Sequence, residues 1–239
     1  MGASAPVVAR VPLPRTLLRG ARRPQIALVG LPRTGKSTIF QAASSTSVEA
    51  GALAGSALSF STCQVNIGLE QAALVDLPPL KTFHDLEDAD RLLLTALLDG
   101  AAGFKAPDLL IQVVDATALE PNLAFAQELC QLGKPLVIAL NRLDEAREKG
   151  IYINVAALSE ALGVPVVPTV AHMGKGIGSL FETALELLRA KRCPLSQSPG
   201  PHLRKALAPL NAILDQPDVE AAFRVPRSLL LTQIARGET

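Results

Sequence analysis

The sequence predicts an α/β fold in which a mainly parallel, six-stranded sheet carries helices on both faces, with a short helical subdomain after it. Three observations point there. Apolar runs of strand length alternate with stretches of helical period between residues 25 and 192, and strands separated by crossover helices pair in parallel with both faces covered. The first run opens directly into a glycine-framed loop and a helix, Ile26-Ala-Leu-Val-Gly30-Leu-Pro-Arg-Thr-Gly35-Lys36-Ser37-Thr38. The 239 residues are 49% hydrophobic, which is ample for one large core.

Residues 1–24 carry Arg10, Arg15, Arg19, Arg22 and Arg23 with no acid, and Pro6, Pro12 and Pro14 break any helix early. This stretch reads as a flexible basic tail, with a targeting peptide or an anionic-membrane contact as its other use. Pro6 stands where the N-myristoylation pattern needs Ser or Thr, so lipidation is not expected.

The strand at 26–29 leads into a segment meeting every fixed position of G-x-x-x-x-G-K-[ST]. Gly30 and Gly35 permit backbone turns that let successive N–H groups point at phosphates, and the helix at 36–44 adds its positive end. Lys36 would neutralise the β- and γ-phosphates, and Ser37 would ligate magnesium. Residues 48–61 are rich in Gly and Ala without a periodic pattern. They read as a mobile nucleotide-sensing loop. Strands at 64–67 and 72–75, a helix at 86–98, a strand at 109–114 and a helix at 123–132 follow.

The strand at 136–140 ends on Asn141-Arg142-Leu143-Asp144. The carboxyl end of a strand is where an open α/β sheet binds ligand. An Asp there accepts two hydrogen bonds from guanine's N1–H and exocyclic amine, a donor pair adenine lacks. Asn141 can brace the base against the phosphate loop. The other reading makes Asn141 and Asp144 a helix cap and the nucleotide ATP. A helix at 155–162, a strand at 164–168 and a helix at 178–192 complete the sheet. Past a Pro/Ser/Gly spacer, amphipathic pieces at 203–214 and 227–235 are too few to bury a core alone, so 193–239 reads as a small helical subdomain.

The formal net charge is +1, which gives no bulk attraction to nucleic acid. Cys63, Cys130 and Cys193 lack metal-ligand or redox spacing and read as reduced, mostly buried thiols; His84, His172 and His202 are equally scattered. No apolar run approaches the roughly 18 residues that cross a bilayer. These features imply a soluble, cytoplasmic chain without a transmembrane segment.

As a set the motifs resemble the cytosolic GTP-binding region of the ferrous-iron transporter B family (FeoB). The resemblance rests on the phosphate loop, Val75-Asp-Leu-Pro78, Val113-Val-Asp-Ala-Thr-x-Leu-Glu-x-Asn-Leu123, Gly133-Lys-Pro-Leu-Val-Ile-Ala-Leu-Asn141-x-x-Asp, Leu158-Ser-Glu-x-Leu-Gly-Val-Pro-Val-Val-Pro-Thr169, Gly174-x-Gly-Ile177 and the helix from Arg227 to Glu238. It implies a Ras-like P-loop GTPase fold and a GTP/GDP ligand with Mg2+. Arg33, Thr34, Gly35, Lys36, Ser37 and Thr38 would cradle the phosphates, with Lys36 and Arg33 in the catalytic roles. Asp76 would bind magnesium through water; Asn141, Arg142 and Asp144 would contact guanine, and Ala171 would offer its N–H to the base carbonyl. Thr62 is the candidate switch threonine, with a plain strand residue as the alternative. The family's helical domain leads into a membrane permease, so a permease component in trans is the implied partner, with peripheral placement at the inner membrane.

Three departures stand out. Arg33 replaces an asparagine that helps hold a potassium ion, Pro79 replaces the glycine of Asp-x-x-Gly, and Val170-Ala-His172 replaces the usual Ser-Ala-x. They imply guanine-nucleotide binding with weak hydrolysis. The expected function is a nucleotide-dependent regulator of iron uptake. Its alternatives are an impaired binding module docking on a partner and the ATP-using enzyme.

Overall fold

Four consecutive residues without exposed surface, Ile26 to Val29, place β1 (Gln25–Val29) at the middle of the sheet. In this computed structural model the described residues are 23–53, 59–80 and 88–190. The expected tail up to residue 22, the subdomain at 193–239, Cys193, His84 and His202 lie outside them.

The remaining strands are β2 (Glu49–Ala52), β3 (Ser59–Ile67), β4 (Glu70–Asp76), β5 (Leu109–Asp115), β6 (Leu136–Asn141) and β7 (Val166–Pro168). They form one sheet in the order β2-β3-β4-β1-β5-β6-β7. The pairs from β4 across to β7 are parallel; β2–β3 and β3–β4 are antiparallel. Alternation divides the core. Ile26, Leu28, Leu109, Ile111, Val137 and Ala139 face one side, where they meet Ile39 and Phe40 of α1 (Lys36–Ala43) and Leu180, Phe181 and Ala184 of α6 (Ile177–Ala190). Ala27, Val29, Leu110, Val114, Ile138 and Leu140 face the other, against α2 (Asp88–Asp99) and α3 (Leu119–Cys130). Strands buried on both faces need the continuous apolar runs that the sequence shows.

Among the described residues the sheet has seven strands where six were expected. Residues 49–52, read as part of a mobile loop, form the edge strand β2, and β3 begins at Ser59. The cause is cross-strand packing. Gly51 lies opposite Phe60, whose ring occupies the space of a Gly51 side chain: a Cβ there would come within 2.5 Å of it. Phe60 in turn packs edge-on against Phe104, ring centroids 5.1 Å apart. Thr62 is an interior residue of β3, paired with Glu49 and Val75. It is a strand residue, as the alternative reading had it.

Two further helices lie beyond β6, α4 (Leu143–Glu148) and α5 (Val155–Leu162). The second matches its expected bounds, since Asn154 Oδ1 accepts the Ala157 N–H and Gly163 ends the helix in the left-handed region. The first, only six residues, was not anticipated. Cys63 and Cys130 are buried free thiols, and burial pushes Cys130 up to about 11.

Candidate functional site

Parallel pairing brings the carboxyl ends of β4, β1, β5, β6 and β7 to one edge, and the described candidates other than Thr62 fall at those strand ends or just past them. After β1 the chain turns through Gly30, φ 153°, where a Cβ would lie 2.7 Å from the Val113 carbonyl oxygen. Arg33 is one of two non-glycine residues with positive φ among those described, at 64°; the other is Arg142. Thr34 is buried, its hydroxyl donating to the Leu31 carbonyl at 3.0 Å. Gly35, φ 94°, then starts α1, and a Cβ on it would sit 2.4 Å from Asn141 Nδ2. The pattern's second glycine is thus required by Asn141 as well as by backbone conformation.

Lys36 folds back over the loop, Nζ donating to the Gly30 carbonyl at 3.5 Å. Burial lowers its pKa, opposed by the carboxylate of Asp76. Ser37 Oγ donates to Asp76 Oδ2 at 2.8 Å, while Asp76 Oδ1 is buried without a partner. Burial raises the Asp76 pKa, with the Ser37 bond and Lys36 opposing. A hydroxyl and a carboxylate held together, one oxygen orphaned, form a hard-oxygen donor set that fits a magnesium ion. Thr38 is exposed on the first turn of α1.

Asn141, at the end of β6, is almost fully buried and ties three segments together. Nδ2 donates to the Thr34 carbonyl at 3.0 Å, and Oδ1 accepts from Ala171 N at 3.0 Å and Thr169 Oγ1 at 3.4 Å. The Ala171 N–H, expected to meet a base carbonyl, is therefore donated to Asn141, since a buried N–H needs an acceptor. Any contact with a base shares that donor.

Arg142 adopts φ 62° and places NH1 3.1 Å from Asp115 Oδ2 and Nε 3.7 Å from Glu145. Asp115 Oδ1 accepts from Thr117 N and Oγ1, both at 2.8 Å. Asp144, on the first turn of α4, keeps Oδ1 buried without a partner and turns Oδ2 toward His172 Nε2 at 3.5 Å. Sequence reasoning missed Thr169, Asp115 and His172 as site residues. For His172 the available signal was the departure Val170-Ala-His172 itself. Pro79 lies exposed three residues past Asp76.

A surface groove lined by Phe104, Lys105, Asp108 and Lys134 lies at the opposite, amino end of β5 and β6. Lys105 is paired with Asp108, and Lys134 donates to the Pro107 carbonyl.

Comparison with known proteins agrees with this arrangement. The chain is 38% identical over 159 residues to the Fe(2+) transporter FeoB of Escherichia coli (strain K12), covering 65% of this chain and 20% of the relative. The matched region is thus about a fifth of the length of that relative. The cytosolic domain of L. pneumophila FeoB superposes with a TM-score of 0.74 at 27% identity, covering 90% of this chain and 89% of that one. An S. thermophilus NFeoB mutant bound to GDP superposes with a TM-score of 0.76 at 25% identity, covering 90% and 80%. The family model described as Ferrous iron transport protein B matches residues 24–184, and on that match, over a fold and a loop geometry that agree with it, the chain belongs to the FeoB_N family.

Proposed function

We propose that this chain is a guanine-nucleotide switch with weak hydrolysis that serves ferrous-iron transport, acting on a membrane permease. The supporting observation is a pair of orphaned carboxylate oxygens at the two ends of one site. Asp76 Oδ1 beside the phosphate loop and Asp144 Oδ1 beside the base turn are both buried without partners. Leaving such atoms unpaired costs about 1–3 kcal/mol each, so both call for a ligand.

In this reading residues 25–192 form the nucleotide domain and 193–239 a helical subdomain linking it to the permease; residues 1–24 are a basic tail that can touch an anionic membrane. Gly30, Arg33, Thr34, Gly35, Lys36, Ser37 and Thr38 hold the phosphates. Lys36, already desolvated, carries its charge to the β- and γ-phosphate position. Arg33 adds a permanent positive charge on the same loop. Ser37 and Asp76 hold magnesium, which when bound screens phosphate charge. Asp144 accepts guanine's two donors, Asn141 and Ala171 fix the base turn, and Arg142, its guanidinium held by Asp115, lies against the base.

Competition binding tests the reading. The native chain prefers GTP and GDP to ATP, and Asp144→Asn weakens guanine nucleotides at least about tenfold by loss of charge-assisted bonds, while xanthosine nucleotides gain. Equal affinity of the native chain for GTP and ATP would return Asn141 and Asp144 to the role of helix cap.

A further inference from the structure

We propose that His172 is a positioning residue for base recognition, holding the carboxylate of Asp144 in the orientation that reads guanine. This rests on the guanine-reading role given to Asp144 above. Within the turn after β7, Val170 contributes no side-chain donor. The approach to Asp144 Oδ2 is made instead by His172 Nε2, from the 3-10 turn Ala171–Met173.

The backbone under the imidazole is tightly set. Val170 and Lys175 exchange both backbone hydrogen bonds, at 3.0 and 3.2 Å, closing the turn. Met173 N donates to the Val170 carbonyl, Gly174 turns out at φ 68°, and Ala171 N is tied to Asn141. The turn also packs on α1. His172 is therefore delivered to Asp144 by the same frame that braces the phosphate loop.

At 3.5 Å and with the imidazole 60% exposed, the contact itself contributes little. Its effect is on orientation. A carboxylate free to rotate must lose that freedom when guanine binds, whereas one already faced by the imidazole nitrogen has lost part of it beforehand. A carboxylate accepts up to four hydrogen bonds, so His172 and the two guanine donors do not compete for the same lone pairs.

The test is equilibrium binding of fluorescent GDP to the full chain carrying His172→Ala or His172→Gln, each with Asp144 intact and with Asp144→Asn. With Asp144 intact, His172→Ala weakens GDP about 3-fold to 5-fold, and His172→Gln, which keeps a side-chain N–H, recovers most of the loss. In the Asp144→Asn background His172→Ala changes affinity less than about twofold, because the group it positions is gone. Unchanged or tighter GDP binding by His172→Ala overturns the proposal, the tighter case making the imidazole a gate. Equal loss in both backgrounds also overturns it, by giving His172 a purely structural role. An Asp144→Asn variant that keeps the native preference for guanosine over xanthosine nucleotides removes the underlying reading itself, a separate result.

Discussion

Proline has no backbone hydrogen to donate, and Pro79 stands three residues past Asp76, where the resemblance puts a glycine whose N–H is expected to meet a terminal phosphate. Since a diphosphate never makes that contact, its loss falls on the triphosphate alone. One hydrogen bond to a charged oxygen corresponds to about 1.5–3 kcal/mol, roughly tenfold to a hundredfold in affinity. The native chain is therefore expected to bind GTP no more than a few-fold tighter than GDP, and Pro79→Gly to widen the ratio toward that limit. Titration of both nucleotides against both proteins decides it. A native preference of a hundredfold, or an unchanged ratio in the variant, assigns γ-phosphate sensing to another group. Arg33 and Arg142 share a different singularity. Each holds a left-handed backbone without the glycine that usually relieves it, and both flank the same site, so the strain is concentrated where ligand contacts would stabilise it.

At the scale of elements, the edge of the sheet depends on one ring. β2 is Glu-Ala-Gly-Ala, a sequence with almost no strand preference, and its pairing is sustained by Phe60 lying over Gly51. Phe60→Ala is expected to cost about 3 kcal/mol, at the low end for a buried aromatic because the site lies at an edge. Amide exchange should then accelerate selectively in β2 and the start of β3; acceleration across the whole sheet would show instead that Phe60 supports the central core. This strand also explains what could and could not be read beforehand. α5 was legible to the residue because its signals are local, an Asn cap and a left-handed glycine. The buried strands were legible because burial on both faces leaves continuous apolar runs. β2 was not, since the residue that stabilises it sits on another strand. α4 spans too few residues to show a helical period, and His172 meets Asp144 only through folding that joins α4 to a separate turn. The strand-loop-helix around residues 30–36 was legible, but the reason for Gly35 was only half so, since its close neighbour Asn141 lies on β6.

Over the described residues the molecule is a sheet whose candidate ligand edge collects five loops distant in sequence, and Asn141 connects three of them with one side chain. Its amide meets the phosphate loop at Thr34 and the base turn at Ala171 and Thr169. This bridge is a direct path by which a ligand at one loop is expected to act on the other. In thermodynamic terms the expected effect is a coupling free energy between the two proposed subsites, and it is reciprocal. Pyrophosphate and guanosine offered as separate fragments should therefore bind cooperatively, each improving the other's affinity by the same factor. Isothermal titration of one fragment in the absence and presence of the other measures that factor. Asn141→Ala should bring it to one while leaving weak binding of each fragment intact, and fragments that bind independently to the native chain would show that the bridge holds the loops without communicating between them.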